Sequence, residues 1–237
     1  MKRFYKEVAV EEADGGWRVK LDGRPIKTQL GSPQIVPTQA AARLLAGEWA
    51  AQGEEIDPKS FVFRDLADFA IDMVRPDRQA TIDKLLSFAG TDTLCYFADP
   101  DQPLWQRQQE AWEPLVSACE AAHGIRLERV SGVVAKPNSD ETISALRKRL
   151  ESEDDFALAA LVTMASLAAS LVVPLAVLED TADAENLFAA ANLEEDWQAE
   201  LWGWDHEAEK ARKLRLEAFV KAAEFALASR RAIRVSR

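Results

Sequence analysis

Motifs that hold nucleotides or metals are missing from this sequence. It contains no Gly-Lys dipeptide, so a P-loop, in which a lysine and backbone amides cradle phosphates, has no anchor. GxGxxG, GxSxG and HExxH are absent as well, which leaves dinucleotide, hydrolase and zincin readings without a signature. Only two histidines occur. Glu120-x-x-His123 has the spacing of a bundle carboxylate metal site, but such sites repeat the motif, and His206 has Gly203 at the corresponding earlier position. No metal is assigned. His123, directly before Gly124, is instead expected as a cation near a helix C-terminus.

Cysteine is equally scarce. Cys95 and Cys119 form no CxxC pair and are too few for a disulfide framework, which points to a reducing compartment and to core positions for both. Ten glycines and ten prolines exclude a low-complexity chain, and no period of 20–50 residues recurs. Positive charge is in deficit, with a net −11 over 237 residues. That balance disfavours nucleic acid, whose binders carry a basic face. The deficit is uneven: residues 210–237 hold nine Lys and Arg against two Glu, a net +7, leaving −18 on the rest. The basic stretch reads as a solvated helix face, with an acidic partner or membrane surface as the alternative. The start of the chain is basic with no apolar run behind it, so no signal peptide is expected. The location expected is the cytoplasm, or the mitochondrial matrix if the source is a eukaryote.

One uncharged run, Phe156 to Leu178, is 23 residues long, enough in principle to cross a bilayer. Acids flank it on both sides, Ala, Ser and Thr dilute it, and it contains Pro174. No membrane span is assigned; a helix buried on all sides explains the pattern.

The first 37 residues alternate as strands: 4–11, a turn at Asp14-Gly15-Gly16, then Trp17–Leu21 closed by the hairpin dipeptide Asp22-Gly23, with extended pieces at 26–28 and 34–36. At Thr38, a helix N-cap candidate, the period changes to helical. Helices are expected after Thr38 up to Gly53, near 61–74, near 76–89 with Pro76 at the first helical position, and over 103–123. Residues 125–135 are expected as a short ribbon or an extended connector. Further helices are expected at about 140–151, 154–173, 182–191 and 193–228, the last opened by Asn192 with Glu195 in a near capping box. The fold class is α+β: a β-rich domain over 1–57, hinged at Asp57-Pro58, and an α-helical domain over 58–237.

The stretch Trp197 to Arg212 carries the most information. On one continuous helix, Trp197, Leu201, Trp204, Ala208 and Ala211 share a face, and Gln198, Trp202, Asp205, Glu209 and Arg212 share another. Glu200 and Glu207, seven apart, are also roughly aligned. Gly203 inside that helix implies a kink or the close approach of a neighbouring backbone. Tryptophans in the core with solvated acids would give this pattern; so would a protein-binding face, where aromatics are bordered by charges.

This stretch resembles the C-terminal signature of the chaperones that escort the alpha subunit of F-type ATP synthase, in Glu200, Trp202, Gly203, Asp205, Glu207 and Arg212. Further blocks are similar in order: Lys2–Val8, Leu21–Thr28, Val36–Thr38, Glu48-Trp49, Ala70-Ile71-Asp72, Thr91–Tyr96 and Trp112–Leu115. Leu201, Phe69 and Met73 depart from the family pattern. The resemblance implies a β-rich N-terminal unit on a helical body, no cofactor, no catalysis, and transient binding of the unassembled alpha subunit by a protein that is a monomer when free. Covering the surface meant for beta would keep alpha soluble, with release by competition. The partner-binding candidates it implies are Glu200, Trp202, Asp205, Glu207 and Arg212, with Asp72 and Asp92 secondary. Two other classes compete: a small-molecule enzyme using buried carboxylates in a helical bundle, and a tether acting through the basic tail.

Overall fold

The computed structural model describes residues 1–132, 136–179 and 183–230. Its contacts divide the chain into two compact units, one of Met1–Arg78, Asp154–Ala160 and the residues from Glu224, the other of Gln79–Glu153 and Leu161–Ala223. The division does not fall at residue 57: residues 58–78 belong to the first unit.

The first unit opens with β1 (Val8–Ala13), β2 (Gly16–Leu21) and β3 (Arg24–Pro25), an antiparallel meander. Asp22 and Gly23 both take positive φ, 47° and 77°, as a two-residue hairpin between paired Leu21 and Arg24 requires. The Asp22 carboxylate adds a second function, accepting from the N–H groups of Lys6 and Glu7 at 3.0 and 2.8 Å. The pieces expected at 26–28 and 34–36 are single bridges, Lys27 to Pro33 and Trp17 to Val36. At the second bridge a Cβ on Gly16 would lie 2.2 Å from the Val36 carbonyl, so only glycine fits there.

Helix α1 (Gln39–Ala50) starts where Thr38 Oγ1 accepts from Ala41 N, and packs on β1 and β2 over Val19, Leu21, Ala41, Ala42 and Leu45. Tyr5 donates its hydroxyl to the Trp49 carbonyl at 2.6 Å, and the Trp49 ring stands 4.5 Å from that of Phe61. Helix α2 (Val62–Phe69) has no cap of its own; Glu48 supplies one, accepting from the N–H groups of Val62, Phe63 and Arg64 at 2.7, 2.8 and 2.9 Å. A π-helical turn, Ala70–Val74, follows, and α3 (Arg78–Gly90) begins two residues beyond Pro76, which lies in the turn before it. The unit is completed by the rings of Phe63, Phe156 and Phe225.

In the second unit β4 (Tyr96–Phe97) pairs in parallel with β5 (Val130–Ser131), which is the short ribbon; residues 133–135 of that stretch lie outside the described residues. Helix α4 (Pro103–His123) has the expected bounds, with Gly124 left-handed at φ 63°. Trp112, fully buried on α4, donates its indole N–H to the Ala190 carbonyl at 2.7 Å. His123 differs from expectation: burial first, then the Arg149 charge, push it below its ordinary value, so it is not a cation at neutral pH. Both cysteines are buried core residues, and burial raises their thiols, Cys119 to about 12. Helix α5 (Asp140–Glu151) follows, capped by Ser139.

The uncharged run is two helices rather than one. α6 (Asp155–Ala168) stops at Ala169, which takes φ 46°, and α7 (Val172–Val177) restarts after it. Nothing in the run's periodicity marks the break, because it is set by polar groups at the start of α7. Leu171 and Val172 donate to Asp92, Val173 N donates to Ser170 Oγ at 3.1 Å, and Pro174 has no N–H to satisfy. Among the described residues no helix is long and apolar enough to cross a membrane. Helices α8 (Ala184–Ala191), α9 (Leu193–Trp202) and α10 (His206–Ser229) end the described chain. Of the basic tail, residues 231–237 lie outside the described residues.

Candidate functional site

The long helix expected over 193–228 is broken in the middle. Gly203 takes φ 84° and ψ 159°, a region open essentially to glycine alone. Asp205 then starts α10: its Oδ1 accepts from Glu207 N at 3.0 Å and Ala208 N at 3.2 Å, and its carbonyl accepts from Glu209 N. The two helical faces drawn through Trp197 to Arg212 therefore do not exist as such, and Glu200 and Glu207 lie on different helices. Of the two readings of Gly203, the kink holds; an added Cβ would meet nothing within 4 Å. Gly203→Ala is accordingly expected to cost about 1–3 kcal/mol through backbone strain alone, measured by chemical denaturation against the native protein. Asn192 does not cap α9 with its side chain; it donates back to the Phe188 carbonyl at 2.9 Å. Glu195 pairs with Arg215 instead of closing a capping box.

The α9–α10 corner is pinned by charge pairs that cross between helices. Arg212 lays its guanidinium on Asp196, Nε to Oδ1 at 2.6 Å and Nη2 to Oδ2 at 2.5 Å, with side chains only 18% and 29% exposed. A bidentate, partly buried fork of this kind is stronger than an exposed pair. The same guanidinium faces the Phe188 ring at 5.5 Å and the Trp204 ring at 5.8 Å. On α4, Arg107 reaches Glu200 at 2.7 Å and sits 4.3 Å over the Trp197 ring. Glu194, Glu195 and Asp196 all lie in the first turn of α9, where the helix dipole favours acids.

What the pinned corner leaves outside is apolar. Trp202, the last residue of α9, is 77% exposed, Leu201 is 53% and Trp204 40%. A tryptophan so exposed loses the stabilisation that burial would give it, and Glu200, Asp205 and Glu207, all exposed, border it. The tryptophans thus divide: Trp112 is core, Trp197 is covered by Arg107, and Trp202 and Trp204 face solvent.

The remaining candidates have internal work. Asp72 accepts from Thr28 Oγ1 at 2.9 Å and Leu30 N at 3.2 Å, and Asp68 beside it accepts from Gln34 Nε2 and Gln29 N, so the pair holds the loop over 28–34. Asp92 is 1% exposed. It accepts from Leu94 N at 3.1 Å, Leu171 N at 2.7 Å and Val172 N at 2.9 Å, and so is not displayed to a partner. The sequence reading does not single out Asp196, Arg107 or Arg215, and it gives Glu195 a capping role instead of its pair with Arg215, because each acts across from one helix to another, 16 to 93 positions along the chain; the first-turn acid cluster 194–196 is the one local sign.

Comparison with known proteins places this geometry. The model of a family described as "ATP12 chaperone protein" matches residues 2–120. The chain belongs to the ATP12 chaperone family. That match ends well before the α9–α10 corner, but similarity to solved members continues through it. Atp12 from Paracoccus denitrificans is 35% identical and superposes with a TM-score of 0.91 over 97% of this chain and 98% of its own. A putative chaperone from Agrobacterium tumefaciens is 38% identical, with a TM-score of 0.91 over 96% of this chain and 85% of its own. Among curated ATP12 proteins, the mitochondrial atp12 of Schizosaccharomyces pombe is 27% identical over 85% of this chain and 74% of its own length. The α+β fold read from the sequence is the ATP12 fold.

Proposed function

We propose that this protein is an ATP-independent assembly chaperone that binds the unassembled alpha subunit of ATP synthase, covers its beta-facing surface and yields it as the catalytic head forms. The observation that carries the reading, beside family membership, is the Leu201–Trp202–Trp204 surface on a corner held in place by three inter-helix charge pairs. A preorganised aromatic patch loses little freedom on binding, and a rim of acids suits selective contact. Glu200, Trp202, Asp205, Glu207 and Arg212 form or support the contact, Asp205 and Arg212 by fixing the corner. Asp72 and Asp92 support it only through the loop and helix start that they hold. The protein acts as a monomer in the cytoplasm, or in the matrix if its source is a eukaryote; two relatives are named as mitochondrial.

The enzyme alternative has less support. Of the buried carboxylates among the described residues, Glu48, Asp68 and Asp92 accept hydrogen bonds from backbone N–H groups, and Glu153 pairs with Arg149. Carboxylates so engaged are helix and loop caps rather than poised acids or bases.

The test is light scattering of the cognate alpha subunit diluted from denaturant into nucleotide-free buffer. A stoichiometric amount of this protein should suppress aggregation and co-elute with alpha. Unchanged scattering and no complex would overturn the reading. Glu200→Ala combined with Glu207→Ala should weaken the complex while the fold stays intact; undiminished binding would remove both acids from the contact.

A further inference from the structure

A groove of about 650 Å³ runs along α4 within the second unit. Its floor is apolar: Ala111, Leu115 and Ala118 of α4 face Ala176 of α7 and Leu187 of α8. A smaller continuation of about 180 Å³ passes Leu115 and Ala118 to reach Ala122 and His123. The combined space suits several side chains rather than one.

Two independent features fix the chemistry of an occupant. The first is charge. Glu110, Glu179 and Asp183 line the groove, and among the described residues no Lys or Arg does. Among the described residues neither Glu110 nor Glu179 is in an ion pair. His123, pushed down by burial, adds no positive charge at neutral pH. The second is a backbone acceptor. Pro114 lies inside α4 and lines the groove beside Glu110. Lacking an N–H, it leaves the Glu110 carbonyl without its donor four residues on. Glu110 thus brings both a carboxylate and a carbonyl without its usual helical donor to one lining residue of the groove.

We propose that this groove receives a segment of the client chain that presents apolar side chains flanked by Lys or Arg. The proposal rests on the client-binding reading above and adds a second contact, chemically different from the tryptophan corner. Apolar burial supplies affinity, and the acidic rim selects the flanking charge and speeds encounter. A second copy of this chain carries a net charge of −11 that opposes approach to an acidic rim, although its stretch over 210–237 is basic, so self-association is measured as a separate outcome of the test.

The test uses the full chain and two amphipathic helical peptides, one of leucine and lysine, the other of leucine and glutamate, followed by fluorescence anisotropy. The lysine peptide should bind and the glutamate peptide should not. Glu110→Gln with Glu179→Gln, which changes charge without bulk, should weaken lysine-peptide binding by about tenfold. Ala118→Trp, which fills the floor, should weaken it at least as much, with circular dichroism checking the fold. The same variants should weaken the complex with the alpha subunit. Equal binding of both peptides, or indifference to the Gln pair, would overturn the proposal. So would self-association in sedimentation that Ala118→Trp abolishes, which would seat a second copy in the groove. An alpha complex indifferent to the groove variants would overturn the groove alone; groove-dependent peptide binding with no alpha complex would overturn the alpha-subunit reading alone.

Discussion

Asp92→Ala should destabilise the protein by about 3–5 kcal/mol, because it strands three buried backbone N–H groups at once, and each costs about 1–3 kcal/mol. Those donors are Leu94 N near the start of the short turn after α3, and Leu171 N and Val172 N at the start of α7. Urea denaturation of the native and variant proteins measures the loss directly. A cost below about 1 kcal/mol would mean that water enters and satisfies the donors.

The same residue makes a prediction with a definite sign in pH. Burial, the largest influence, pushes the Asp92 carboxyl above its ordinary value, against hydrogen bonds from Ser170, Val172, Leu171 and Leu94 that act to lower it. A folded-state value above the unfolded one means that the folded chain holds the proton more tightly. The stability linked to this group is then fully present below the unfolded value, about 3.9, and is lost as pH rises through the folded one. Asp92→Asn has no such titration, so the stability difference between native protein and Asp92→Asn should narrow as pH is raised across that window. A difference that widened would show that the four hydrogen bonds outweigh burial.

Asp92 also illustrates why part of this structure could be read from the sequence and part could not. Thr38, Asp22-Gly23 and Gly124 are local signals: each acts on backbone within a few residues, and each marks the boundary or turn expected of it. The buried acids are different. Their donors are backbone N–H groups, which every residue but proline carries, and for Asp92 they lie up to 80 positions away. Among forty acids, nothing in residue type distinguishes those that cap a distant helix from those in solvent. The break at Gly203 falls between these cases. Helical periodicity continues on both sides of it, and glycine within a helix costs only about 1 kcal/mol, so periodicity alone favours one long helix. The cue was Asp205, a capping residue immediately ahead of the helix it starts. With that break, the acids and tryptophans change partners: Asp196 and Arg212, sixteen residues apart, become the fork that holds the corner.

Trp202→Ala should leave the denaturation curve in place and weaken binding of the alpha subunit by about 30-fold or more, the loss of at least about 2 kcal/mol expected of an interface hot spot. The two readouts separate because the side chain is 77% exposed and supports no core. Arg212→Ala is expected to behave differently. It removes a partly buried fork, leaves the Asp196 carboxylate unpaired, and should cost about 1.5–3 kcal/mol of stability. Arg212→Lys should recover little of this, because an ammonium cannot span both carboxylate oxygens as a guanidinium does. Its effect on binding is indirect, through the Trp204 ring and the set of α10 against α9, and so depends on there being an ordered patch to display. In a Trp202→Ala background the binding penalty of Arg212→Ala should therefore shrink, a coupling that a double-mutant cycle reads out. Strictly additive penalties would mean that Arg212 touches the client itself, and that the fork on Asp196 opens when the complex forms.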